Sequence, residues 1–316
     1  MGFYPPATDV ILQEHLFRPI TGRALMIGRQ LTQLTPDDVG ALLRRYGIQQ
    51  REVAFEIDTV NTHVGNSKVG PFVMDRSFFA AFSECLVEAL DITDYEGAEV
   101  IHDMSTPVPP RLYEQYDFIF DGSSIDNIFD VATAIRNLHL MLKPGGRMVL
   151  INYSNSHPTA YTKLSPDWYM DWFSFQEYAD ARVLVAEELE DRRKWRIWTF
   201  DPYVVYSGQN GYQWSQINSQ TMQATICMGE KGGGPTKPGS PVQMHYRVEK
   251  EPYLSSAIRF HNSPRRYDFS HIGPITSRPS ISGYDVLALL GDGELPRRQI
   301  WSSLVSQIRL SGNRTG

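Results

Sequence analysis

Three short apolar runs, each with an aspartate at its end, do most to limit what this chain can fold into. They are VEALDI (87–92), AEVIHD (98–103) and YDFIFDG (116–122). Runs of this length read as strands, and the third is apolar enough to be buried on both faces, as in a parallel sheet. Helical patterns separate such runs. After Asp130, the residues Val131, Ala134, Ile135, Leu138, Met141 and Leu142 share one stripe, KPGG (143–146) breaks it, and RMVLIN (147–152) is the next strand. SPDWYMDWFSFQEYA (165–179) opens as a helix, and RVLVAEEL (182–189) and KWRIWTFDPYVVY (194–206) follow as strands. This alternation predicts a doubly wound α/β sheet with mostly parallel strands.

The amino-terminal part fits the same scheme. Ala24-Leu25-Met26-Ile27 is a short strand running into Gly28. Thr35-Pro36-Asp37-Asp38 combines a hydroxyl N-cap, proline in the first turn and acids near the positive helix end. Val39, Leu42, Leu43 and Tyr46 continue that helix until Gly47. REVAFEID (51–58) reads as a strand, 59–71 as a loop, and Asp75 as the start of a helix carrying Phe78, Phe79, Phe82 and Leu86.

The alternation spans residues 1–206, which are expected to form the α/β domain. Residues 207–316 are expected to be a C-terminal extension serving as a lid, dimer arm or partner surface. Within it GEKGGGPTKPGSP (229–241) reads as a loop and residues 282–310 as two short helices. A net charge of -6 argues against a nucleic-acid partner. The sequence shows no signal peptide and no membrane-length apolar run, so a cytoplasmic protein without membrane contact is expected. Cys85 and Cys227 lack the spacing of a zinc site or redox pair. A reduced pair or a disulfide between them are the alternatives.

In an open parallel sheet, ligands sit beyond the carboxyl ends of the strands where strand order reverses. Gly28, Asp91, Asp103, Asp121 and Asn152 fall at such ends. An acid at the end of the second strand can accept hydrogen bonds from both ribose hydroxyls of a nucleoside. Asp91 is preferred there because the next strands then follow in order, and Asp58 is the alternative register. Arg29 could pair with a ligand carboxylate or be a surface arginine. His157, in NYSNSHPTAY after the RMVLIN strand, is a candidate general base because imidazole titrates near 6.5. Its other reading is a loop histidine bonded to nearby backbone. The aromatic cluster Trp168, Tyr169, Trp172, Phe173 and Phe175 reads mainly as core.

LDITDYEGAEVIHDMSTPVP, YDFIFDGSSIDNIFDVATAIRNLHLMLKPGGRMVLIN and NSHPTAYTKLSPDWY together resemble class I S-adenosylmethionine-dependent methyltransferases. The similarity is to a bacterial subgroup associated with sugar or natural-product biosynthesis. It implies a Rossmann-like sheet of seven strands whose last strand, here KWRIWTFDP, runs antiparallel. It also implies S-adenosylmethionine as cofactor. Asp91 would hold the ribose, with Ile92 against the adenine. Asp103 and Met104 would border the adenine, and Asp121 to Ser123 would lie beside the methionine part. The subgroup's Glu-His pair is replaced by Asp126-Asn127, which leaves Asp126 and His157 as the catalytic candidates.

The first turn departs further. Typical members carry an acid and three glycines there, whereas this chain has Met26-Ile27-Gly28-Arg29-Gln30. Gly28, with Arg29 or Gln30 as a substitute donor, is then the expected contact for the methionine end. Two function classes follow. One is methyl transfer to an oxygen or nitrogen of a small molecule in specialised or sugar metabolism. The other is an altered relative that no longer transfers methyl groups, with S-adenosylmethionine kept or lost, either a non-methylating enzyme or an auxiliary subunit. A homodimer and a hetero-complex with a biosynthetic enzyme are the assemblies in view.

Overall fold

A computed structural model describes residues 2–3, 5–59, 71–155, 160–189, 195–200, 221–247, 251–271 and 275–276. The chain divides into two compact units, Met1–Tyr212 with Thr221–Ser277, and Gln213–Gln220 with Arg278–Gly316. The second lies outside the described residues, as do the two helices expected in 282–310.

The first unit is built on α1 (Pro5–Phe17), β1 (Arg23–Ile27), α2 (Pro36–Arg45), α3 (Asp75–Ala80), β2 (Leu86–Asp91), β3 (Val100–Ile101) and β4 (Tyr116–Gly122). It continues with α4 (Val131–Met141), β5 (Leu142–Tyr153), α5 (Pro166–Phe175), β6 (Asp180–Glu188), β7 (Trp195–Phe200), β8 (Gln223–Glu230), α6 (Glu251–His261) and β9 (Ile275–Thr276). The described strands form one sheet in the order β3-β2-β1-β4-β5-β8-β6-β7-β9. β1 to β5 are parallel to one another, and β8 runs antiparallel between β5 and β6. This is the doubly wound, mostly parallel sheet that the alternation predicts.

Local chemistry explains the helix starts. Thr35 accepts the Asp38 N–H at 3.2 Å while the Asp38 carboxylate accepts the Thr35 N–H at 2.9 Å, a reciprocal cap. Asp130 caps α4 and Ser165 caps α5 without the reciprocal bond, each side chain accepting the N–H three residues on.

Alternate strand residues feed two cores. Ala24, Met26, Phe118, Phe120, Val149 and Ile151 face α1, α2 and α3, whereas Leu25, Ile27, Ile119, Met148 and Leu150 face α4 and α5. No described helix is long and apolar enough to cross a membrane.

Four expectations change. REVAFEID is not a strand; it makes only an isolated bridge, Ile57 to Val73. Leu86 opens β2 rather than continuing α3. Trp195–Phe200 does run antiparallel, as the partner of β6, but β8 is a further reversed strand inside the sheet, which has more than seven strands among the described residues. The sheet therefore does not stop at residue 206. β8 is buried along almost its whole length because it is covered on both faces, and α6 contributes Phe260 to the core. Both cysteines are free, Cys227 buried within β8.

Candidate nucleoside site

The strand order reverses between β1 and β4, so the crevice beyond their carboxyl ends is where this architecture places a ligand. Gly28 follows β1 there with φ +71°, a conformation that glycine adopts without strain. A Cβ on it would stand 3.4 Å from Ser124 Oγ and 3.7 Å from Asp91 Oδ2. The parallel pairing of Ile27 with Leu90 puts Asp91 at the end of the second strand, which selects Asp91 over Asp58. Its Oδ1 accepts the Ile92 N–H at 2.6 Å. Ile92 itself is exposed, an apolar side chain next to a strand-end carboxylate.

Asp91 pairs with Ile101 across β2 and β3, and the His102 N–H donates to the Asp91 carbonyl at 2.9 Å. Asp103 therefore lies on the same edge. It is exposed, and the Ser105 hydroxyl and N–H, at 2.7 and 2.9 Å, hold its carboxyl below the usual range. Met104 does not border the surface. Its side chain is in the core, and its carbonyl accepts from Asn137 Nδ2 at 3.1 Å.

Arg29 turns away from this edge. Nη1 donates to Asp75 Oδ1 at 3.0 Å, and Nη2 donates to the Gly97 carbonyl at 2.7 Å and to Glu99 at 2.8 and 2.9 Å. Burial works against the guanidinium charge, and Asp75 and Glu99 more than restore it. The Asp75 carboxylate also accepts the Gln30 N–H at 2.9 Å. The Gln30 side chain folds back, donating to the Ile27 carbonyl at 2.6 Å and resting against Gly122, where any Cβ would collide with it. The expected roles of Arg29 and Gln30 toward a ligand carboxylate do not fit this geometry, because both Arg29 Nη atoms and the Gln30 amides already have protein acceptors and Arg29 Nε, which has none, is buried.

Asp121 and Ser123 also depart from expectation. Asp121 is fully buried, its Oδ1 accepting the N–H groups of Ser124 and Ile125 at 2.9 and 3.3 Å and its Oδ2 accepting Asn152 Nδ2 at 2.8 Å. Asn152 in turn accepts the Tyr169 hydroxyl. Burial, and secondly the Asp126 carboxylate, push the Asp121 carboxyl up to about 7. Asp126 is buried as well. It accepts Ser123 Oγ at 2.8 Å and the Tyr153 N–H at 2.9 Å, which ties the β4 and β5 ends together. Ser123 is held at φ +73° by this turn. His157 lies outside the described residues.

The structure thus brings Gly28, Asp91 and the exposed Ile92 and Asp103 to one edge. Asp121, Ser123 and Asp126 form a separate buried support beneath it. Asp75 and Glu99 were missed as partners of Arg29; the one local signal was an acid at a helix start. A cavity of about 210 Å³ lies at α4 and α5, lined by Ile135, Asp167, Trp168, Asp171 and Trp172. A second, of about 670 Å³, lies beside Phe17, Asp180, Arg259 and Arg265. Gly28 and Asp91 line neither.

No protein-family model and no curated protein matches the chain. Among solved structures it is similar to the citrinin polyketide synthase CMeT domain, at 11% identity over 72% of this chain and 52% of that one, with TM-score 0.35. It is similar to Haemonchus contortus phosphoethanolamine N-methyltransferase 2 in complex with S-adenosyl-L-methionine, at 12% identity over 71% and 52%, with TM-score 0.36. The YcgJ protein of Bacillus subtilis gives 14% identity over 73% and 100%, with TM-score 0.35. The chain spans about half the length of the first two. Superpositions this loose carry no argument about activity. The strand order itself describes a doubly wound α/β sheet with the reversed β8 lodged between β5 and β6.

Proposed function

We propose that the chain binds an adenosyl ligand over the carboxyl ends of β1 and β2, and that its activity is S-adenosylmethionine-dependent methyl transfer to an oxygen or nitrogen of a small molecule. The observation that carries this reading is the Asp91 carboxylate standing beside Gly28 at the strand-order reversal. A carboxylate there accepts from ribose hydroxyls, Gly28 leaves room for close approach, and exposed Ile92 offers the base an apolar face. The residues fit the nucleoside end of S-adenosylmethionine, whose chemistry is an electrophilic methyl group on sulfur. They do not fit its carboxylate end, so the chain's part is binding and orientation. His157 is the residue assigned to accept a proton from the small molecule.

A second reading is a non-methylating enzyme or an auxiliary subunit on the same fold. The commitment of Arg29 to Asp75 and Glu99, and the burial of Asp126, favour it. Titration calorimetry with S-adenosylmethionine and S-adenosylhomocysteine separates the two first. Micromolar binding supports the nucleoside site, and absence of heat with folded protein overturns it. A mass increase of one methyl group in a pool of small-molecule acceptors then supports methyl transfer over the second reading.

A further inference from the structure

We infer that the ligand is recognised through its nucleoside alone, because Asp75 of this chain already holds the backbone amide that would take a ligand carboxylate at the first turn. An anion bound after β1 needs N–H groups with no protein acceptor. The Gly28 N–H donates to the Leu90 carbonyl at 2.7 Å, and the Gln30 N–H donates to Asp75 Oδ2 at 2.9 Å. Asp75 is fixed from three sides, since its Oδ1 also takes Arg29 Nη1 at 3.0 Å and the Arg76 N–H at 2.7 Å.

The neighbouring cations are committed as well. Arg29 faces two carboxylates, Asp75 and Glu99, and Glu99 is itself held by the Ala89 N–H at 2.7 Å. Arg76 bridges Glu56 and Glu99. The Gln30 side chain closes the gap between the turn and Gly122. A carboxylate entering here would meet Asp75; among the described side-chain donors of Arg29 only Nε lacks an acceptor, and it is buried, so admitting the carboxylate would require breaking a buried ion pair. The recognised class is therefore an adenine nucleoside or its 5′-thioether, with no contribution from an aminoacyl carboxylate.

This inference rests on the nucleoside reading of Asp91, and one ligand series separates the two. Wild-type full chain is titrated calorimetrically with 5′-methylthioadenosine and with S-adenosylhomocysteine, which share the nucleoside and thioether and differ in the aminoacyl group. The expected result is binding of both within about threefold of each other, with both weakened alike by Asp91→Ala. S-adenosylhomocysteine binding thirtyfold or more tightly would overturn the inference and leave the nucleoside site standing. Binding of neither by folded protein would overturn the nucleoside site and the inference with it.

Discussion

Asp91 and Gly28 meet at the carboxyl edge of the sheet, the carboxylate lying 3.7 Å from where a Gly28 side chain would begin. Nothing in the chain makes these residues local to each other: 63 positions separate them (91 − 28), and the parallel pairing of β1 with β2 joins them.

Gly28 is required by its backbone as well as by its place. Gly28→Ala puts a side chain at φ +71°, and the expected cost is about 1 to 2 kcal/mol of stability. Urea unfolding measures it. An unchanged midpoint would show that the turn relaxes to another conformation.

Arg29 is a structural residue in this account. Arg29→Met removes the partner of fully buried Asp75, so unfolding free energy should fall by about 3 to 5 kcal/mol. A surface arginine would give less than about 1 kcal/mol. Denaturant titration of wild type and variant decides between them, and the smaller loss would contradict the buried-pair description.

Asp121 gives a pH signature. Its carboxyl is raised to about 7 by burial and by Asp126, whereas an unfolded-chain aspartate titrates near 3.9. Between about pH 4 and about 7 the unfolded chain releases this proton while the native chain keeps it. The Asp121 contribution is thus fully present below about pH 4 and is lost as pH rises through about 7. In Asp121→Asn, the drop in urea midpoint from about pH 4.5 to about pH 7.5 should be smaller than in wild type. Parallel curves would contradict the raised native value.

The sheet was legible where local chemistry specifies structure. YDFIFDG matches β4 residue for residue, and Thr35, Asp130 and Ser165 cap the helices that follow them. α1 was not legible, because it is buried on nearly every side and so lacks the polar stripe that marks an amphipathic helix. β8 was hidden because QATICMGE mixes polar and apolar residues without a clean alternation, and its partners, β5 and β6, precede it by many residues.

The site was legible in part. Acids at strand ends could be found, but not which way each side chain turns: Asp91 stands at the open edge, whereas Asp121 turns inward to Asn152 and the Ser124 amide. The Arg29 cluster joins residues 46 and 70 positions away, a pairing that only the tertiary fold creates.

The central claim is that Asp91 beside Gly28 marks a nucleoside site. Its most direct test is calorimetric titration of S-adenosylhomocysteine into wild type and Asp91→Ala, with unfolding curves to confirm that both are folded. The account predicts micromolar binding to wild type and at least tenfold weaker binding to the variant, about 1.4 kcal/mol or more. Equal affinity in the two proteins, or no binding to folded wild type, would contradict it.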